Sequence, residues 1–221
     1  MDKAHVLERI RSIGLIPVIR ARSADEAAQA ADAIQAGGVS ILEITMTVPG
    51  AVDVIREMAG RGGDAVVGAG TVLDPEAAGA CMDAGAQFVV TPALSLDTIA
   101  TCREAGVAVI PGALTPTEVV TAWRAGADLV KIFPAGAVGG PSYIKALKAP
   151  LPQIDLVPTG GVNLETAGHF IRAGAAALGV GAHLVDLAAL GRGEAAVLTE
   201  RARAYVKAVQ EARSGGGEPR P

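Results

Sequence analysis

The chain has 221 residues, half of them apolar, with 19 Lys and Arg against 23 Asp and Glu and a net charge of −4. That balance leaves no compositional case for disorder and argues against a nucleic-acid binder that works by neutralising phosphates. No apolar run approaches the roughly 18–20 residues of a membrane helix, because Gly, Pro or a charged residue interrupts each one.

Residues 2–13 are charged and amphipathic, which predicts a leading helix and not an export signal. Eight short, β-branched runs follow: IPVIR (16–20), VSILEIT (39–45), AVVGAGT (65–71), QFVVTP (87–92), VAVIPG (107–112), LVKIFP (129–134), IDLVPTGG (154–161) and AALGVG (176–181). They recur at the length of one strand, one helix and two turns, and several are apolar throughout, as parallel strands covered on both faces are. The segments between them read as helices. Ser23–Glu26 and Thr115–Glu118 fit capping boxes, and Asp74 and Asn163 are caps with an acid in the first turn. Gly37, Gly85, Gly106, Gly126 and Gly174 stand where a left-handed residue ends a helix. Residues 194–212 predict a final helix and 214–221 a flexible tail. Eight near-equal units predict an α/β protein, a (β/α)8 barrel forming one domain over residues 1–213, with the leading helix across its bottom. An open doubly wound sheet is the alternative. Cys81 and Cys102 lack metal-ligand spacing and read as buried thiols of a reducing, cytoplasmic compartment.

Active sites of such barrels lie at the C-terminal ends of the strands. Two residues there are costly to bury. Lys131 sits inside LVKIFP with apolar neighbours on both sides, whereas Lys3, Lys145, Lys148 and Lys207 fall in predicted helices. A desolvated ammonium releases its proton more readily, and a free amine attacks ketones to form Schiff bases. Glu43, within ILEIT on the second strand, is a carboxyl able to shuttle protons across the barrel mouth. A structural Glu43–Lys131 ion pair is the competing reading. PTGGV (158–162) and GVGAH (179–183) end the seventh and eighth strands, a corner where barrels frequently bind phosphate. VGAGTV (67–72) lacks the third glycine of a dinucleotide fingerprint. His5, His169 and His183 are too scattered for a metal cluster and read as solvated.

The segments GGVSILEIT, VGAGTVL, AQFVVTPAL, VIPGALTPTE, LVKIFPA, IKALKAP and VPTGGVN, in order over about residues 14–185, resemble the bacterial 2-keto-3-deoxy-6-phosphogluconate (KDPG) aldolases. That family also covers 4-hydroxy-2-oxoglutarate and the galactonate-derived substrate. The resemblance implies a class I aldolase with Lys131 as Schiff-base lysine and Glu43 as acid/base. It implies that Thr71, Pro92, Phe133 and Thr159 line the pyruvate end, and that Gly160, Gly161 and Gly181 hold phosphate. It further implies a phosphorylated keto acid and pyruvate as small-molecule partners, no metal or organic cofactor, and a homotrimer that engages neither nucleic acid nor membrane. Two positions depart from the pattern. Thr47 stands where some members carry a carboxylate-binding arginine, which makes Arg20 the candidate replacement. Ala182 stands where some have a serine that donates to phosphate. Rival readings are an epimerase or isomerase using Glu43 as base, and a non-catalytic barrel scaffold.

Overall fold

The computed structural model describes residues 2–215. Most of the expected tail, residues 216–221, lies outside them, while Ser214 closes the last helix. Among the described residues nine strands alternate with helices. The strands are β1 (Leu15–Ile19), β2 (Ile41–Thr45), β3 (Val66–Gly70), β4 (Phe88–Val90), β5 (Ala108–Ile110), β6 (Gly112–Ala113), β7 (Val130–Ile132), β8 (Leu156–Pro158) and β9 (Leu178–Val180). The helices are α1 (Lys3–Ile13), α2 (Ala24–Ala36), α3 (Ala51–Gly60), α4 (Pro75–Asp83), α5 (Leu96–Glu104), α6 (Pro116–Arg124), α7 (Pro141–Lys148), α8 (Leu164–Arg172), α9 (Leu187–Gly191) and α10 (Ala196–Ser214).

All strand pairs are parallel. Six strands in the order β5-β4-β3-β2-β1-β9 form a half-barrel, and β6-β7-β8 form a second sheet. The VAVIPG run is therefore two strands and not one. Pro111 has no N–H to give the ladder, so pairing breaks there, although its carbonyl still accepts from Lys131 N at 2.9 Å. On the other side, single bridges Leu156↔Ala175 and Thr159↔Gly179 join the β8 and β9 neighbourhoods.

Alternate side chains along each strand enter two different cores, as a period of two requires. Leu15, Leu42, Val67, Val89, Val109, Val130 and Leu178 point outward and pack under the helices. Ile16, Ile41, Val66, Phe88, Ala108, Leu129 and Ala177 point inward, and Val6, Leu7 and Ile10 of α1 cover them from below. The leading helix is thus an apolar plug, and the next inward positions up each strand are left for polar side chains.

Local signals explain most helix ends. Thr115 and Glu118 form a complete capping box on α6, and Asn163 caps α8 with Thr166 reciprocating. Ser23 caps α2, but the Glu26 carboxylate bonds Arg22 instead of closing the box. Gly85, Gly106, Gly126 and Gly174 are left-handed as expected. Gly37 is not; Gly38 takes that conformation. Gly37 is instead a packing glycine, because a Cβ there would stand 2.5 Å from Ala202 Cβ and 2.6 Å from Thr199 O on α10. Cys81 and Cys102 are buried on α4 and α5, and burial pushes both thiols up to about 11.

Candidate active site

Immediately above the apolar plug, the inward positions of β2 and β7 hold Glu43 and Lys131. They are 2% and 4% exposed, and among the described residues no other charged side chain is buried. Strand register places Glu43 beside Val18 of β1 and Gly68 of β3, and Lys131 beside Gly112 of β6 and Val157 of β8. Glycine fills the neighbouring inward positions because large side chains already use that volume. A Cβ on Gly68 would press on the Phe88 ring, and one on Gly70 would stand 2.6 Å from both Cγ and Cδ of Glu43. On Gly179 it would press on the Thr159 side chain.

The Glu43 carboxyl is held above its usual range by burial, with the charges of Lys131 and Arg20 opposing that shift. Its Oε1 has no hydrogen-bond partner. Among the described residues Glu43 and Lys131 form no ion pair within 4.0 Å. A purely structural pair would be in contact, since contact is what offsets the desolvation of both charges. Here a buried acid with an unfilled oxygen lies near enough to a buried amine for the amine's charge to act on it, yet out of direct contact. Lys131 Nζ lies 5.3 Å from the centroid of the half-buried Phe133 ring.

Thr71 follows β3 and is the one non-glycine residue at positive φ (58°) among those described. Such strain persists where the surroundings over-determine it, often at functional sites. Pro92 follows β4, and its backbone packs where a Gly112 side chain would otherwise be. Thr91, buried beside it, is structural: its hydroxyl donates to Ala93 O and accepts from Gly112 N. Thr47 is exposed and bonds the Thr45 hydroxyl at 2.7 Å. With Thr45 donating to Ile19 O at 3.1 Å, Thr47 is the donor in that pair.

Seven of the remaining candidates come together. Arg20, Phe133, Thr159, Gly160, Gly161, Gly181 and Ala182 line one cavity of about 120 Å³, with Val18, Val162, Gly179 and His183. Gly160 and Gly161 are both left-handed, at φ 84° and 76°. Among the described residues no protein acceptor takes their N–H groups, and α8 begins three residues later. Free amides in a glycine turn just ahead of a capped helix are suited to receive an anion. Arg20 is exposed at the end of β1, with Nη1 3.2 Å from where a Gly181 Cβ would be. It therefore stands at the glycine corner, and its charge also reaches Glu43. It also lines an adjoining cavity of about 330 Å³ with Val185, Asp186 and Leu187.

The site thus combines a buried amine, a buried unpartnered acid and a glycine turn with free amides on a parallel α/β framework. The family model for KDPG and KHG aldolase matches residues 6–200. The chain belongs to that family. It is an aldolase, a carbon–carbon lyase. It is 40% identical over 201 residues to the 2-dehydro-3-deoxy-6-phosphogalactonate aldolase of Escherichia coli, covering 90% of this chain and 95% of that one. To the 2-dehydro-3-deoxy-phosphogluconate aldolase of Haemophilus influenzae it is 35% identical over 166 residues, covering 75% and 78%. A solved KDPG aldolase from Legionella pneumophila, with pyruvate captured as a covalent carbinolamine, superposes with a TM-score of 0.84 at 28% identity, covering 90% of this chain and 97% of that one. Among the described residues of the aldolase no helix is long and apolar enough to cross a membrane.

Sequence reasoning missed two members of the site. Gly70 falls in the AVVGAGT run and the VGAGTVL segment with no role of its own; it pairs with Thr45, and the Glu43 carboxyl fills the space its Cβ would take. His183 reads as solvated and is exposed, yet it lines the glycine cavity.

Proposed function

We propose that this aldolase cleaves 2-keto-3-deoxy-6-phosphogluconate to pyruvate and glyceraldehyde 3-phosphate through a Schiff base on Lys131. The reading rests on the buried Lys131 amine, whose charge bears on the buried Glu43 carboxyl with its unpartnered oxygen. The free amine adds to the C2 ketone, and loss of water from the carbinolamine leaves an iminium. Glu43 takes the C4 hydroxyl proton, the C3–C4 bond breaks, and its electron pair passes to the iminium to give an enamine as the aldehyde departs. Glu43 returns the proton to C3, and water hydrolyses the new iminium to pyruvate and free lysine. The covalent carbinolamine in the Legionella relative supports this chemistry.

Phe133 walls the lysine, while Thr71, Pro92 and Thr159 line the keto-acid end. The free amides of Gly160 and Gly161, beside Gly181 and Ala182, receive the phosphate. Arg20 lines that cavity, so we assign it to the phosphate and leave the C1 carboxylate to Thr71 and backbone N–H groups. Thr47 acts at one remove by holding Thr45. We read residues 1–213 as one closed (β/α)8 barrel, joined across Pro111 and the Thr159↔Gly179 bridge, and the assembly as a cytoplasmic homotrimer.

A second reading, the same chemistry on the galactonate epimer, is favoured by the higher identity to the phosphogalactonate aldolase. Parallel turnover assays on the two epimers separate them. The Schiff base itself is tested by borohydride reduction in the presence of pyruvate. Peptide mass mapping should place the adduct on Lys131. An adduct on Lys145 or Lys148, or none, overturns the mechanism.

A further inference from the structure

We propose that His183 is a phosphate ligand of this aldolase and a determinant of its preference for phosphorylated substrates, an inference that rests on the function proposed above. A phosphate dianion in the glycine cavity needs several donors. The backbone offers the N–H groups of Gly160 and Gly161, and the lining residues that carry a side-chain donor are Arg20, Thr159 and His183. Ala182, on the same turn, has no donor to give. The imidazole can supply an N–H in either protonation state, and as imidazolium it adds the charge-assisted bond that phosphate favours.

The turn that carries His183 is fixed. Leu184 N and Val185 N both donate to Gly181 O at 2.9 Å, and Asp186 N to Leu184 O. Asp186 caps α9 through Ala189 N and pairs with Arg201, whose guanidinium also donates to the His183 carbonyl. The neighbouring acid is thus already satisfied, and among the described residues the imidazole has no protein partner. A histidine held on a braced turn at the rim of an anion cradle, beside an alanine, is placed to complete that cradle.

The experiment compares kcat/KM for the phosphorylated keto acid with that for the same compound lacking phosphate, in wild type, His183→Ala and His183→Gln. Loss of a hydrogen bond to a charged group predicts that the ratio falls about 10- to 100-fold in His183→Ala. His183→Gln, which keeps an N–H, should recover part of it. Competitive inhibition by inorganic phosphate should weaken by a similar factor in His183→Ala. Pyruvate trapping on Lys131 needs no phosphate and reports the integrity of both variants. If trapping is normal and the ratio stays within twofold in both, His183 is not a ligand. If wild type fails to trap pyruvate, it is the Schiff-base reading that falls.

Discussion

Replacing Gly70 by alanine tests whether the inner layer positions Glu43. The new Cβ would stand 2.6 Å from Cγ and Cδ of Glu43 and closer still to Oε1. Non-bonded carbons settle at about 3.5–4.0 Å, so the carboxyl must retreat by about 1 Å. It cannot retreat freely, since the residue is 2% exposed and Val18 and Gly68 flank it across the strands. Overpacking of this kind costs about 1–3 kcal/mol of stability, and a 1 Å misplacement of a reacting group can cost about 10²-fold in rate. Gly70→Ala should therefore lower kcat by about two orders of magnitude, with pyruvate trapping on Lys131 retained. The coupled readout is sharper. If Glu43 is already displaced, adding Glu43→Gln should cost little more, whereas in wild type Glu43→Gln alone should cost about 10²–10⁴-fold. Thermal melts run alongside separate unfolding from misplacement. Turnover of Gly70→Ala within threefold of wild type, or losses that multiply in the double variant, would refute the positioning argument.

Glu43 also predicts a pH signature in stability. Its carboxyl is held above the ordinary 4.5 by burial, so the native state holds this proton more tightly than the unfolded chain does. The favourable contribution is complete below about pH 4.5 and is lost as pH rises through the raised folded value. Glu43→Gln escapes that loss. The difference in Tm, variant minus wild type, should grow as pH rises from 4.5 and then level off; a difference independent of pH would contradict the buried-acid description. Arg20→Ala should cost the phosphorylated substrate about 2–3 kcal/mol, some 30- to 150-fold in kcat/KM, and its unphosphorylated counterpart much less. Equal losses for both substrates would return Arg20 to the carboxylate end.

The features legible in the sequence were those written in local pattern. Runs such as ILEIT and LVKIFP marked strands, and a charge inside each marked Glu43 and Lys131 as residues whose burial needs a reason. Thr115 and Asn163 marked their helices because a cap and its partner lie within four residues. What failed depends on contacts distant in the chain. Gly37 and Gly38 look interchangeable until α10, more than 160 residues later, packs on one of them. VAVIPG scans as one strand because a missing N–H matters only once β7 is alongside.

The pairing of β1 with β9 has a consequence during synthesis. Leu15, Ile16 and Pro17 lie against Leu178, Gly179 and Val180, so the first strand's second neighbour is the last to leave the ribosome. At about 5–20 residues per second, the intervening chain takes on the order of 10–30 s to emerge. Throughout that interval one edge of β1 is an open template for any extended chain nearby. The C-terminal helix ends the exposure with a clasp: Arg213 donates to the carbonyls of Arg11, Ser12 and Ala176, tying the end of α1 to the approach of β9. A nascent chain stalled shortly before residue 178 would carry Lys131 and Glu43 yet still present that edge, and would be a target for chaperones rather than an enzyme.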